Sequence, residues 1–232
     1  MSLLLSLSNR VCKLVQRDFP RLLDAAGQNP GVQSIVTNST QVSWQCQIVQ
    51  LTGRQWQPYD TGDWVLIWVE AYSRYTMMKI YPLRPEWEQI EADLQQLWLE
   101  QVLNWLSLGG FVRYQQHSDQ VRAQFNQYLA QGSQQVRRNL DPSIGGNLAD
   151  HQQWLWSFLH DERPKYLGDH EIRVLCEHLN QLPKRVRWQG AKKHRIYPVE
   201  RFLDDSLYRF AKGLCDQPIQ GCAKGDFPNP HG

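Results

Sequence analysis

The sequence predicts an α+β fold in which a small antiparallel β-meander is covered by a long amphipathic helix, with a mainly helical C-terminal half. Apolar and polar residues alternate from Val42 to Ile48, which is the period of a strand with one solvated face. A continuous apolar run from Trp64 to Val69 is typical of a strand covered on both faces. Apolar residues then recur at helical spacing from Trp87 to Trp105, which predicts the covering helix.

The N-terminal segment carries weaker signals. Met1 to Leu7 is apolar, but serines interrupt it and no basic leader or cleavage pattern accompanies it, so we interpret it as a packed or frayed terminus. Helical spacing continues from Asn9 to Ala26, with a kink or restart at Pro20. Turn-forming clusters between Gln28 and Thr40 indicate a connection, with an edge strand as an option.

The end of the meander and the limits of its covering helix are set by proline and glycine. A third strand is predicted from Tyr75 to Tyr81, since Pro82 cannot continue a hydrogen-bonded ladder. Pro85 suits the first turn of a helix, and the acidic residues after it complement the helix dipole. The pair Gly109-Gly110 is a typical helix end.

The chain beyond Gly110 is predicted to be mainly helical. The first amphipathic segment is a glutamine-rich stretch around Gln115–Gln135, in which Gly132 is predicted to end the helix. Further amphipathic segments occur at Ala149–His160, Asp169–Asn180 and Pro198–Lys212. The stretch from Asn139 to Asn147 contains Asp-Pro and Gly-Gly, so we interpret it as an exposed loop or a joint between subdomains. This predicts an α+β domain over residues 1–140 and a helical subdomain with a flexible tail over 141–232, although a single domain is also compatible with the pattern.

Composition narrows the class of protein. The net charge is +2, so no global field attracts nucleic acid, but the positive excess is confined to the half that begins at Val121. The 5 cysteines are scattered and odd in number, which favours a reducing, cytoplasmic compartment. No apolar run approaches the roughly 20 residues that a membrane helix needs. The 10 tryptophans lie mostly at core-like positions, which favours packing over an aromatic ligand cage.

The densest positive cluster is the segment from Leu182 to Tyr197, which we call the basic segment. Cations spaced along a hairpin with Gly190 at its tip can neutralise successive phosphates, and aromatic rings among them can stack on unpaired bases. We therefore expect a non-catalytic module that binds nucleic acid. The candidate contact residues are Lys184, Arg185, Arg187, Trp188, Lys192, Lys193 and Arg195.

Other interpretations of the sequence stay open. The basic segment can equally be a solvated hairpin whose rings turn inward, and the chain can be a protein-interaction or accessory module that uses exposed tryptophans. The turn from Glu70 to Tyr75 places an acid, two phenols and a base at the end of a strand pair. Glu70, Tyr72 and Arg74 therefore form an alternative pocket for an enzyme of unrecognised type, or else a simple turn with a cross-hairpin ion pair.

The sequence lacks the usual signatures of catalysis and cofactor binding. It has no G-x-S-x-G nucleophile motif and no phosphate-binding loop. Six residues separate Cys215 from Cys222, whereas the ligand pairs of zinc sites usually lie two to four residues apart. We therefore expect no metal and no cofactor.

Two stretches resemble a family of uncharacterised bacterial proteins of mixed α+β build. One runs from Trp44 to Arg54 and continues as VLIWVEAYSRYTMMKIYPL into the helix with the acidic start. The other is LNQLPKRVRWQGAKKHRIYPVERFLDD, where Leu-Asn and a proline precede a Tyr-Pro helix start. The chain departs from the family at Gly53-Arg54-Gln55, which has one basic residue where the family has several. The resemblance implies an α+β fold and a bacterial origin, and it implies no mechanism.

Overall fold

The computed structural model describes residues 2–24, 30–51, 64–161, 167–186 and 194–214. These residues form six helices and two sheets, in agreement with the predicted α+β class. The elements in chain order are β1 (Ser2–Leu7), α1 (Asn9–Leu14), β2 (Gln41–Gln50), β3 (Trp64–Glu70), β4 (Thr76–Tyr81), α2 (Trp87–Leu108), α3 (Gln115–Gln131), β5 (Ser133–Arg138), α4 (Pro142–Asp161), α5 (Asp169–Gln181), β6 (Lys184–Val186), β7 (His194–Ile196) and α6 (Pro198–Phe210).

The main sheet has five strands in the order β4-β3-β2-β1-β5. Its first three strands form the predicted antiparallel meander, with Cys46 opposite Trp68 and Trp68 opposite Met77. Strand β1 pairs in parallel with β2 and with β5, so the complete sheet is mixed. The meander is therefore one part of a larger sheet that long-range pairing completes.

The N-terminal residues form the strand β1, which lies between two other strands of the sheet. Leu3, Leu5 and Leu7 are buried in one core, while Leu4 is buried in the other. Ser6 faces the same side as Leu4, and its hydroxyl donates to the Gln45 side chain at 2.9 Å. Residues Ser2–Leu7 pair on both edges, so of the two alternatives the structure shows a packed segment.

The first predicted helix is much shorter than its pattern indicates. Helix α1 ends at Leu14, and Gln16 has a left-handed φ of 52° that stops further helical winding. The chain then becomes extended, and the Leu22 N–H donates to the Arg138 carbonyl at 3.1 Å beside the outer edge of β5. Pairing with the sheet thus replaces the predicted helix as far as Asp24, and Ala25 and Ala26 lie outside the described residues.

Helices cover both faces of the sheet and create two apolar cores. The first core lies under α1, α2, α3 and α6, with Trp98 at its centre in edge contact with the rings of Trp44, Phe125 and Phe210. The second core lies under α4 and α5. Successive residues of β3 alternate between the two, as Leu66 and Ile67 show, which explains the continuous apolar run of that strand.

The segment from Asn139 to Asn147 was predicted to be an exposed loop or a joint between subdomains, and the prediction of a loop is wrong. Helix α4 begins at Pro142 and continues through Gly145 and Gly146. Asn139 and Asp141 before it are buried, although Leu140 between them is exposed. Helix α3 ends at Gln131, directly before Gly132, as predicted, but strand β5 (Ser133–Arg138) after it was not predicted. The division of the chain near residue 140 stays a prediction.

The outer edge of β4 is protected by α5. The Asn180 amide donates to the Thr76 carbonyl at 2.8 Å and accepts from the Thr76 N–H at 2.7 Å, as a neighbouring strand would do. Such a cap prevents pairing with another chain at this point. None of the helices in the described residues is long and apolar enough to cross a membrane.

Candidate functional site

The basic segment forms a small hairpin that leads into α6. Strands β6 and β7 pair antiparallel, with Lys184 opposite Ile196 and Arg185 opposite Arg195. Val186 and Ile196 are buried and hold the hairpin on the body of the protein, while Arg185 and Arg195 are exposed. The hairpin therefore has an inner apolar face and an outer face with two guanidinium groups.

The two exposed arginines occupy directly opposed positions. Side chains in such a cross-strand pair start about 5 Å apart at their Cβ atoms, and like charges at this separation destabilise a hairpin. Neither arginine forms an ion pair with a carboxylate of the described residues. The Arg195 guanidinium lies 5.7 Å from the centroid of the Tyr197 ring, which is itself partly exposed. A cationic and aromatic surface thus faces solvent.

The other predicted contact residues divide into two groups. Lys184 is buried on the inner face, where desolvation lowers its pKa and Asp150 opposes that shift. Its ammonium group is therefore turned away from the outer surface. The remaining four candidates lie outside the described residues: Arg187, Trp188, Lys192 and Lys193.

The turn after β3 is the second candidate, and its Glu70 carboxylate lies in the interior. The Tyr72 N–H donates to Glu70 Oε2 at 3.0 Å, and the Ser73 N–H and hydroxyl each donate to the same oxygen at 2.6 Å. The Thr37 hydroxyl donates to Oε1. Burial raises the pKa of Glu70, the negative charge of Asp205 raises it further, and these hydrogen bonds lower it.

Arg74 closes the same turn in a strained conformation. Its φ of 61° lies in the left-handed region, and its N–H donates to the Glu70 carbonyl at 3.0 Å. The guanidinium is buried and donates to the Ser143 hydroxyl at 3.1 Å. Burial lowers the pKa of Arg74, whereas the carboxylates of Asp141 and Glu70 oppose this shift.

The structure brings Glu70, Tyr72 and Arg74 together, as the alternative site requires, but each of the three side chains also contacts other residues of the protein. Both carboxylate oxygens of Glu70 accept hydrogen bonds from the protein, and Tyr72 packs under the Arg201 guanidinium at 5.0 Å from its ring centroid. A carboxylate saturated in this way stabilises a turn and has little capacity left to accept a substrate proton. We therefore place no catalytic step at this turn.

Sequence inspection missed the residues that connect this turn to the rest of the interior. Asp141 accepts from the Ile35 N–H at 2.8 Å and from the Ser143 N–H at 2.7 Å. Asn139 accepts from the Gln33 N–H at 2.7 Å. Two of these partners, Gln33 and Ile35, lie more than a hundred residues away in the chain, so only Asp-Pro was visible as a signal, and it suggested a surface turn.

Neither a metal site nor a family assignment adds to these two candidates. Within the described ranges, no group of three His, Cys, Asp or Glu side chains is placed to hold a metal ion. Cys12, Cys46 and Cys176 are free thiols, and burial raises the pKa of each. No protein family, curated protein or solved structure matches the chain. The resemblance to a bacterial α+β family therefore stays a prediction.

The exposed apolar residues bear on the protein-interaction hypothesis. Trp154 is 42% exposed, and more exposed still are Leu83, Leu108 and Tyr114, which lie in separate segments of the chain. Single exposed apolar residues are normal on a protein surface and do not define a partner. An interaction or accessory role stays a prediction without a located surface.

Proposed function

We propose that the protein is a non-catalytic module that binds nucleic acid through the outer face of the β6–β7 hairpin. The observation that carries this proposal is the directly opposed pair of Arg185 and Arg195, exposed and without a carboxylate partner among the described residues. A phosphate between two such arginines would convert a repulsive pair into an attractive bridge, because each guanidinium offers several donors to phosphate oxygens.

The surroundings of the pair favour a single-stranded ligand. Tyr197 presents a partly exposed ring beside Arg195, and stacking of a base on an aromatic ring contributes about 1–3 kcal/mol. The chain between β6 and β7 holds a further tryptophan and three further cations, which lie outside the described residues. Cations that contact phosphates, together with rings that contact bases, form the usual surface for unpaired strands.

Fluorescence anisotropy with a labelled single-stranded oligonucleotide of about 16 nucleotides tests the proposal, in DNA and RNA versions. The logarithm of the association constant should fall linearly as the logarithm of the salt concentration rises. Removing both charges with Arg185→Gln and Arg195→Gln should reduce the slope by about 0.7 for each phosphate that the variant no longer neutralises. Lys192→Glu with Lys193→Glu should abolish binding at physiological salt.

A matched control separates a local effect from a general loss of charge. Arg122 lies in α3 and Lys212 follows the end of α6, and both are exposed. The double substitution Arg122→Gln, Lys212→Gln therefore removes the same charge outside the hairpin. This control should retain the wild-type affinity and salt slope. The proposal is wrong if the wild type fails to bind at low salt, or if the hairpin and control variants weaken binding equally.

A further inference from the structure

A second cationic surface lies at the far end of β2, around a cavity of about 590 Å³. The wall includes Ile48 and Gln50 of β2, Trp64 at the start of β3, and Trp156 of α4. Its rim carries Arg10 and Lys13 of α1 together with Arg84 from the segment after β4; sequence inspection singled out none of these cations. None of them belongs to the basic segment, so this cavity is independent of the proposed function.

The rim cations differ from Arg17 and Arg138, which lie with Lys13 around a neighbouring pocket. Arg17 is paired with Glu88 at 3.1 Å, and Arg138 is paired with Asp18 at 3.0 Å. By contrast, Arg10, Lys13 and Arg84 make no ion pair with a described carboxylate, and no described Asp or Glu lines the cavity. Convergent positive charge that no carboxylate of the described residues offsets attracts an anion from solution.

The wall of the cavity is apolar and aromatic. Leu14, Ile48 and Val49 are buried, and Trp64 and Trp156 are each half-buried along the same cavity. Half-buried indole rings offer flat apolar surface to a ligand. The volume lies within the range of roughly 300–1,000 Å³ that small-molecule sites occupy.

We propose that this cavity binds a small planar organic anion. Its apolar body would lie against Trp64, Trp156 and Ile48, and its phosphate or carboxylate would accept hydrogen bonds from the rim cations. Flat apolar surface and cationic donors within one cavity favour a ligand with both features over inorganic phosphate, which would leave the apolar wall exposed. A nucleotide and an aromatic carboxylate share this chemistry.

Isothermal titration calorimetry with two anionic probes shows whether the cavity prefers a nucleotide or an aromatic carboxylate. Adenosine 5′-monophosphate is compared with adenosine, and naphthalene-1-carboxylate with naphthalene-1-carboxamide, so each anion has a neutral match. We expect one anion to bind with a Kd below about 1 mM and about tenfold more tightly than its neutral match, given the strength of charged hydrogen bonds. The anion that binds more tightly then identifies the chemical class of the ligand.

Two variants locate the binding. The double substitution Lys13→Gln, Arg84→Gln should weaken binding of the anion about tenfold. The control double substitution Arg122→Gln, Lys212→Gln should leave the affinity for the anion unchanged. The substitution Gln152→Phe adds a ring to the cavity wall without changing the charge of the cavity. It should therefore block binding of both the anion and its neutral counterpart. The proposal is overturned if neither anion binds, if neutral and anionic probes bind equally, or if the rim and filling variants leave affinity unchanged. Hairpin variants should not affect this binding.

Discussion

The turn at Glu70 and the hairpin at Arg185 contain similar residues in opposite environments. At the turn, an acid and a base lie in the interior, where Thr37, Ser73 and Ser143 engage them by hydrogen bonds. At the hairpin, two arginines face solvent without a carboxylate of the described residues to pair with. A charged group that is buried and partnered contributes to stability, whereas an exposed cation with no partner is available to a ligand.

This difference is the reason why we propose the hairpin, and not the turn, as the surface that acts on another molecule. The oxygens of Glu70 already accept hydrogen bonds from the protein, so a ligand would have to displace these donors. An anion bound at Arg185 and Arg195, as we propose, would relieve the repulsion between them. Burial, more than residue type, therefore separates the structural site from the proposed binding surface.

The largest expected effect is the loss of stability in Glu70→Ala. This change leaves several buried donors without an acceptor and removes a negative charge near the buried Arg74, so we expect the free energy of unfolding to fall by about 3–5 kcal/mol. Urea denaturation measures this free energy of unfolding. Glu88→Ala is the matched control, because Glu88 is exposed and pairs with Arg17 at the surface. A Glu70→Ala variant no less stable than this control would make the turn dispensable.

The next largest effect is a pH dependence of the free energy of unfolding, which we attribute to a second buried group, His151. This side chain lies against Thr76, and burial, with the charge of Lys184, lowers its pKa from 6.5 to about 3. The unfolded chain therefore takes up a proton below pH 6.5 while the folded protein does not, so stability is full above pH 6.5 and is lost as pH falls toward 3.

The slope attributed to His151 should approach about 1.4 kcal/mol per pH unit within that window. Unfolding of the wild type and of His151→Gln should be measured at several pH values from 7 to 4. As pH falls, we expect the free energy of unfolding of the wild type to decrease relative to that of the His151→Gln variant. Parallel curves would mean that the pKa of His151 is the same in the folded and the unfolded protein, and would contradict this prediction.

The smallest effect is at the hairpin, where stability and binding should change in opposite directions. Arg185→Glu replaces a like-charge pair with an opposite-charge pair facing Arg195, which should stabilise the hairpin by about 0.2–1 kcal/mol. The same change should weaken oligonucleotide binding. Thermal unfolding and anisotropy on one preparation measure both. A parallel loss of stability and binding would mean that Arg185 has a structural role, like the residues of the Glu70 turn.

The elements that the sequence predicted well are those whose pattern is local. The meander and helix α2 follow from alternation, an apolar run and helical spacing, each of which is visible within a single segment. Strands β1 and β5 were missed because their partners lie far away in the chain: Leu5 pairs with Trp44 and with Val136. The polar sequence of β5 also resembles the glutamine-rich helix before it.

The candidate sites show the same limit. The basic segment and the Glu70 turn were located from residue type and spacing, but neither pattern indicates which side chains are buried. Lys184 is turned inward while Arg185, its neighbour, is exposed. The rim formed by Arg10, Lys13 and Arg84 was not predicted, because Arg84 joins the other two only after β2, β3 and β4 have paired.

The sequence alone determined the α+β class, the meander, its covering helix and the position of the basic segment, since local periodicity and charge density specify these features. Only the tertiary structure decided that β1 lies inside the sheet, that Glu70 and Arg74 are internal, and that two arginines oppose each other on an outer face. The physical reason is that burial and partnership depend on which distant segments meet, and those contacts determine whether a charge stabilises the fold or faces a ligand.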